Sequence, residues 1–549
     1  MGGCRKQREK DLLGKRKRVV PITPLSATRI KFVFLFLCIG LVGLVSRMAW
    51  LQIFQSSLLE ARARSVQTQK TKPLGRRRSI VDRKGRLVAL DEERYRLWAH
   101  PRYFSLPGDK QGYIRKPVDI ANKLSDLLSI SSRQIVDRLG DRTSGVKLVE
   151  SISPELSERI KKLNISGLDL EPYPQRVYPQ GSLFANVVGF LNQDRIPQAG
   201  LEQSLNKKLL REEKTHFLRT GADGTPLPSG LPSGAFYGDD LQLHLTLDAR
   251  LQELSVNALS LEVSKWKAKK GVAIVMNVNS GELLALASTP TYNPNQYWEF
   301  TPALFREWAV QDLYEPGSTF KPINLALALE ENVISPTDTI NDTGRVDIGG
   351  WSIFNHNKKA NGVINFAKVL QVSSNIGMVK IMRKLDPSKY WDWLNRLGLD
   401  VSPYTDLPGA IGGQLKPKDL FVSKSIESAT ASYGQGFSLT PLKLVQLHAL
   451  LANGGYLVDP HITRGFVNRK SLLSSVPKKN NPIFRPEVTT IIREWMESVV
   501  EEGSGKGVKT PGYRIGGKTG TAQKVVNGGY KPGAKICSFV ATLPLDSPR

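Results

Sequence analysis

The chain has 549 residues, 40% hydrophobic and 23% charged, so packed domains are feasible and wholesale disorder is excluded. Lys+Arg exceed Asp+Glu by 77 − 50 = 27, a strongly basic balance. Three cysteines, Cys4, Cys38 and Cys537, cannot staple a fold of this size, and with six histidines lacking HExxH or HxxxH spacing they form no clustered zinc site.

Residues 1–31 carry ten basic side chains against Glu9 and Asp11 and read as a cytoplasmic leader. Phe32 to Ser46 carries no charge, and extension across Arg47 to Phe54 gives about 23 residues, enough to span a bilayer. Arg47 can snorkel to the interface, where Trp50 is also favoured. The stretch Arg47-Met48-Ala49-Trp50 is a poor cleavage site, so residues 32–54 are expected to be an uncleaved single anchor. The positive leader stays inside, so the bulk of the chain is expected to face out. Only Cys537 then lies outside, so no intrachain disulfide is expected. The net +19 beyond the leader (27 − 8) suits an anionic surface, whether lipid head groups or an acidic polymer. Nucleic acid fits poorly, because no binding fingerprint is present.

Residues 55–75 read as a polar stalk, the start of a non-catalytic segment that runs to 240. From Arg76 its texture is mixed, and Ser153-Pro154-Glu155 opens a helix with Ser as cap and Pro in the first turn. Gly221 to Gly238 looks like a linker. A second domain is placed at 243–549. Its expected elements are a helix from Ala249 to about Lys267, a buried strand Gly271–Met276, a turn at Asn279-Ser280-Gly281 and a returning strand Glu282–Ser288. Helical segments fill much of 320–455, and strands return near 513–525 and 535–543. The order predicts an α+β fold, an antiparallel sheet flanked by helices.

Pro316-Gly317-Ser318-Thr319-Phe320-Lys321 precedes an apolar helix. The first turn of a helix offers free N–H groups to developing negative charge, and Lys321 at i+3 shares a face with Ser318. A serine beside a lysine is a nucleophile with its own base if burial and a second cation keep the lysine neutral. Alone this SxxK spacing is weak, since Ser264/Lys267 and Ser475/Lys478 repeat it. SxN is weak too, since Ser204/Asn206 and Ser255/Asn257 match as well as Ser373/Asn375. Order and context carry the signal: Ser318, then Ser373-Ser374-Asn375 between apolar helical segments, then Lys518-Thr519-Gly520-Thr521 on a strand.

That series resembles the penicillin-recognising acyl-serine transferases, whose three motifs are SxxK, SxN and KTG. The Arg78–Gly85 stretch, Arg176-Val177-Tyr178-Pro179-Gln180-Gly181, and Gly200-Leu201-Glu202 look like motifs of the non-catalytic domain of class B penicillin-binding proteins, with Ser79 replacing a usual Gly. No Glu-Asp-x-x-Phe glycosyltransferase signature is present, so glycan polymerisation would belong to a membrane-embedded partner. The short anchor, the Arg-rich leader and the YPQG to GLEQS spacing look more like the septal than the elongation enzyme.

The resemblance implies a D,D-transpeptidase acting on peptidoglycan stem peptides ending in D-Ala-D-Ala. Ser318 would attack the penultimate D-Ala carbonyl, Lys321 would take its proton, and Ser373 would relay a proton to the leaving amine. Asn375 would hold the substrate amide, and Lys518 and Thr519 would bind the terminal carboxylate, with Gly520 in the same strand. Backbone N–H groups of Ser318 and Thr521 would form the oxyanion hole. β-Lactams would acylate Ser318, and no metal or organic cofactor would be needed. A catalytically impaired division scaffold, a D,D-carboxypeptidase and a β-lactamase-like hydrolase are the alternative readings. Against the family pattern, the chain is expected to be truncated, lacking the last core strand and C-terminal helix, with a gap between the Gly271–Val278 strand and that of Phe539. His356 is expected in a surface loop, and Trp351, Trp391 and Trp393 in the core or cleft wall.

Overall fold

The computed structural model describes residues 27–59, 62, 68–71, 75–211, 216–219, 241–468, 481–526 and 529–549. Most of the basic leader, the linker at 221–238, part of the stalk and the Ser475/Lys478 pair lie outside these residues. The described residues fall into two units.

The first unit holds the apolar helix and a small strand pair. The helix is Ala27–Ile53, with a mean hydropathy of 2.3 over its most apolar stretch and no buried residue. At 1.5 Å rise per residue it is about 40 Å long, enough to cross a bilayer with tilt. It begins five residues before the predicted start because charge marks where lipid ends, whereas the backbone stays helical through Arg29 and Lys31. Thr68–Thr71 pairs antiparallel with His216–Arg219.

The second unit begins with a sheet built on the 13-residue strand Leu87–Ala99. It pairs antiparallel with Ile80–Val81, Val146–Ile152 and Leu168–Val177. Helices Pro117–Leu128, Ser132–Leu139 and Pro154–Lys162 bury Ile120, Leu124, Ile135, Leu139 and Ile160 against strand residues Leu97 and Leu148. Ser153 caps the third of these helices, accepting from Leu156 N, as its sequence predicts. Ile80–Val81 also pairs parallel with Gln242–Leu245, which pairs antiparallel with Thr463–Val467. One core therefore takes in Ile80, Phe190, Leu245, Leu286 and Ile462. The division near 240 cuts the chain but not the packing.

The three stretches that looked like non-catalytic-domain motifs meet in this unit. Buried Arg176 pairs with Glu202 at 2.7 Å and Asp91 at 3.2 Å, and donates to the Arg78 carbonyl. Arg77 forms a second ion pair with Glu202 at 2.7 Å. Asp82 accepts from the backbone N–H groups of Lys84, Arg86 and Ala249, tying this corner to the start of helix Ala249–Lys265.

Beyond that helix, Gly271–Met276 pairs antiparallel with Leu283–Thr289, and Gly516–Val526 with Gly529–Thr542. Among the described residues these are two separate ladders, with the expected gap between the Gly271–Met276 strand and the strand of Phe539. One correction concerns Gly271–Met276, which is half-buried except at Met276 rather than buried. Four four-residue strands lie in the region read as helical: Thr339–Asp342, Arg345–Ile348, Trp351–Phe354 and Gly362–Asn365. Such short runs carry too little alternation to announce themselves. Their hairpins leave Trp351 and His356 exposed, while Trp393 is buried in the helical core.

Candidate active site

The SxxK segment forms a tight 3-10 turn, Gly317–Phe320, running into helix Lys321–Glu330 with Pro322 in its first turn. All but the last residue of that helix are buried, packed by Leu394, Leu447, Leu450 and Ile492. Gly317 enters at φ +57°, which suits a residue with no Cβ, and donates to the Gly434 carbonyl at 2.8 Å. Thr319 Oγ1 donates to the Pro316 carbonyl at 2.7 Å. His448, buried on helix Pro441–Ala452, meets the Thr319 carbonyl through Nε2 at 2.8 Å. A carbonyl can only accept, so Nε2 carries the proton, and burial pushes this imidazole down to about 4, against the pull of that hydrogen bond.

The SxN segment is the turn between helices Phe366–Gln371 and Asn375–Met382. Ser373 sits at φ +54°, the left-handed region, at a cost of about 1–2 kcal/mol for a side-chain-bearing residue. Ser374 caps the second helix, accepting from Gly377 N at 2.8 Å. The KTG segment lies on Gly516–Val526, whose Gly520 is opposite Ser538. A Cβ on Gly520 would fall 2.6 Å from Ser538 Oγ and 2.8 Å from Thr319 Cγ2, so glycine lets this strand abut the SxxK turn.

Lys321 and Lys518 are both fully buried. Lys321 Nζ lies 2.6 Å from the Ser373 carbonyl, 3.2 Å from Ser373 Oγ and 2.8 Å from Asn375 Oδ1. Lys518 Nζ lies 3.0 Å from the same Ser373 Oγ and 3.0 Å from the Thr519 carbonyl. Burial first, then the positive charge of Lys518, hold Lys321 well below the usual lysine range, against an opposing pull from Asp342. Burial pushes Lys518 down to about 7. Ser318 is partly exposed and makes no side-chain hydrogen bond with a described residue. Apo sites often hold such contacts long until substrate arrives.

The structure thus brings Lys321, Ser373, Asn375 and Lys518 of the three motifs together. Thr519 and Thr521 face outward on the KTG strand, partly exposed and exposed respectively. The decoy repeats are spent elsewhere: Ser204 Oγ donates to the Asp406 carbonyl, Asn206 accepts from Arg77, and Ser255 donates to the Leu251 carbonyl. Sequence reasoning missed Ser504, whose Oγ is 2.7 Å from Thr519 Oγ1, and it missed His448, Asp342 and Asn355. None belongs to a motif, and each is joined to the site only by folding.

Comparison with known proteins agrees with this geometry. The penicillin-binding protein transpeptidase domain matches residues 271–549, and the penicillin-binding protein dimerisation domain matches residues 73–227. A peptidoglycan D,D-transpeptidase FtsI homolog of Mesostigma viride is 35% identical over 95% of this chain and 90% of its own length. Penicillin binding protein 2X of Streptococcus thermophilus shares the fold with a TM-score of 0.71, at 23% identity over 88% of this chain and 76% of its own. Penicillin binding protein 3 of Mycobacterium tuberculosis, solved with aztreonam, gives 0.63 at 22% identity over 88% and 89%. This chain belongs to the class B penicillin-binding proteins, the peptidoglycan D,D-transpeptidases.

Proposed function

We propose that the protein crosslinks peptidoglycan stem peptides through an acyl-Ser318 intermediate, in septal wall synthesis. The observation that carries the reading is the single hydroxyl of Ser373 within 3.2 Å of Lys321 Nζ and 3.0 Å of Lys518 Nζ. With Lys321 neutral and Lys518 charged, Ser373 accepts from one amine and donates to the lone pair of the other. Lys321 takes the Ser318 proton as Oγ attacks the penultimate D-Ala carbonyl. The proton reaches the leaving D-Ala amine through Ser373. Backbone N–H groups of Ser318 and Thr521 hold the oxyanion, an arrangement whose single donors are typically worth about 2.7–4 kcal/mol. Lys518 and Thr519 receive the terminal carboxylate, Asn375 the substrate amide. An amine of a second strand then attacks the ester and releases Ser318.

β-Lactams carry a carboxylate and a strained acyl group and would acylate Ser318 by the same path. The aztreonam complex of the Mycobacterium tuberculosis relative supports this. Membrane insertion with the leader in the cytoplasm puts the catalytic unit on the wall side. Septal assignment rests on the Arg-rich leader, the YPQG to GLEQS spacing and the FtsI-homolog relative. The implied partners are a membrane-embedded glycan polymerase and other division proteins. Labelling with a fluorescent penicillin tests the core of this reading: the full chain becomes covalently labelled and Ser318→Ala does not. Labelling that survives the substitution would rule out Ser318 as the nucleophile.

A further inference from the structure

Asp342 belongs to none of the three motifs. It ends the strand Thr339–Asp342, is fully buried, and stands directly behind the SxN turn. Four groups donate to its carboxylate: Ser374 Oγ at 2.7 Å, Asn355 Nδ2 at 2.8 and 2.9 Å, Gly344 N at 2.9 Å, and Asn361 Nδ2. Burial opposes its charge, but the hydrogen bonds from Asn361, Ser374, Gly344 and Asn355 outweigh it and hold the carboxyl below the usual range. It is therefore an anion at neutral pH. Among the described residues its charge is satisfied by these hydrogen bonds rather than by an ion pair.

Its use follows from what it can accept. A carboxylate offers no donor, so Asn355 must turn Nδ2 towards it, which leaves Oδ1 for the opposite side. There Oδ1 accepts from Asn375 N at 2.9 Å and Ile376 N at 3.2 Å. Ser374 must likewise point its proton at Asp342, which frees its lone pairs to cap Gly377 N. These two residues hold the chain that follows Ser373, where the left-handed turn enters the second helix. The charged groups facing Lys321 are Lys518 from the KTG strand and Asp342 from behind the turn, with uncharged Ser373 and Asn375 between them.

We infer that Asp342 is a positioning residue for acyl transfer, fixing Asn355 and Ser374 so that Ser373 and Asn375 are held against Lys321, and supplying a negative charge that faces Lys321. The inference rests on Ser318 being the acylated residue. A loosened turn would displace the relay, and misplacement of about an ångström costs about a hundredfold in rate. Loss of the negative charge also has a sign. It makes protonated Lys321 less favourable, so the free base persists to lower pH.

The test is the second-order rate of penicillin acylation against pH, measured on the full chain in detergent. Asp342→Asn is expected to lower the rate by about tenfold to a hundredfold and to move the acid limb of the profile to lower pH. Ser374→Ala, which cuts one tie but keeps the charge, is expected to slow acylation without moving the limb. A folded Asp342→Asn protein with the wild-type rate and limb overturns the inference, as does a wild-type rate in Ser374→Ala. If Asp342→Asn does not fold, the Ser374→Ala rate decides. Wild-type protein that shows no Ser318-dependent labelling overturns the active-site reading instead, and is a separate result.

Discussion

Two buried lysines share one serine hydroxyl, and the proposed mechanism rests on that contact. Their charges cannot both be retained at close quarters in a dry site, so one must lose its proton. In the proposed mechanism Lys321, held well below the usual lysine range, is the base, and Lys518 is the cation. The pH dependence has a definite sign. Lys518, at about 7, is charged below that value and neutral above it. Lys321 is neutral until the pH falls well below the ordinary lysine range. The rate of penicillin acylation is expected to be bell-shaped, with its alkaline limb near 7 in the free enzyme as the carboxylate site loses its charge. Both limbs belong to the coupled pair. A rate that keeps rising well above that limb would show that Lys518 charge is not needed. The lysines were legible in the sequence because their motifs are short and local. Asp342, Asn355 and His448 were not, because a buried acceptor or donor is recognised only by what surrounds it.

Turns, more than helices or strands, place the reactive groups. The SxxK turn rests on Gly434, whose backbone carbonyl accepts from Gly317 N. Gly434 itself has φ +83°, and a Cβ there would fall 2.0 Å from the Gly317 carbonyl oxygen. Gly434→Ala therefore combines left-handed strain of about 1–2 kcal/mol with a backbone clash. It is expected to lower the denaturation midpoint and to slow acylation together. An unchanged midpoint would mean that the turn moves freely on its support. The helix over 249–265 and the strand pairs were legible from periodicity and capping. The four strands within 339–365 were not, and they carry Asp342 and present Phe354, whose carbonyl accepts from Asn375 Nδ2 at 3.0 Å.

The segment up to 240 and the domain from 243 read as two parts of the chain but share a sheet and a core. Thr463–Val467, more than 200 residues after Gln242–Leu245, closes that sheet. The ion network of Arg77, Arg176, Asp91 and Glu202 stands beside the joint, with Glu202 fully buried. Glu202→Gln would leave Arg77 and Arg176 facing a neutral amide, and breaking a buried pair in this way costs about 3–5 kcal/mol. Urea denaturation is expected to show a lower midpoint at unchanged slope. A midpoint within error of the wild type would mean that the network is energetically neutral.

Local chemistry alone was enough to identify the anchor, the order of the three motifs and the family. An apolar run, a proline-glycine lead-in and a lysine three residues on are properties of neighbours in the chain. Which SxN serine sits beside the two lysines was decided by context and then by contact, since Ser204 and Ser255 spend their hydroxyls on the backbone carbonyls of Asp406 and Leu251. Charge state, in contrast, needed the folded chain. The proton affinity of a lysine depends on exclusion of water and on ions brought from residues 342 and 518, and no pattern of neighbours encodes either.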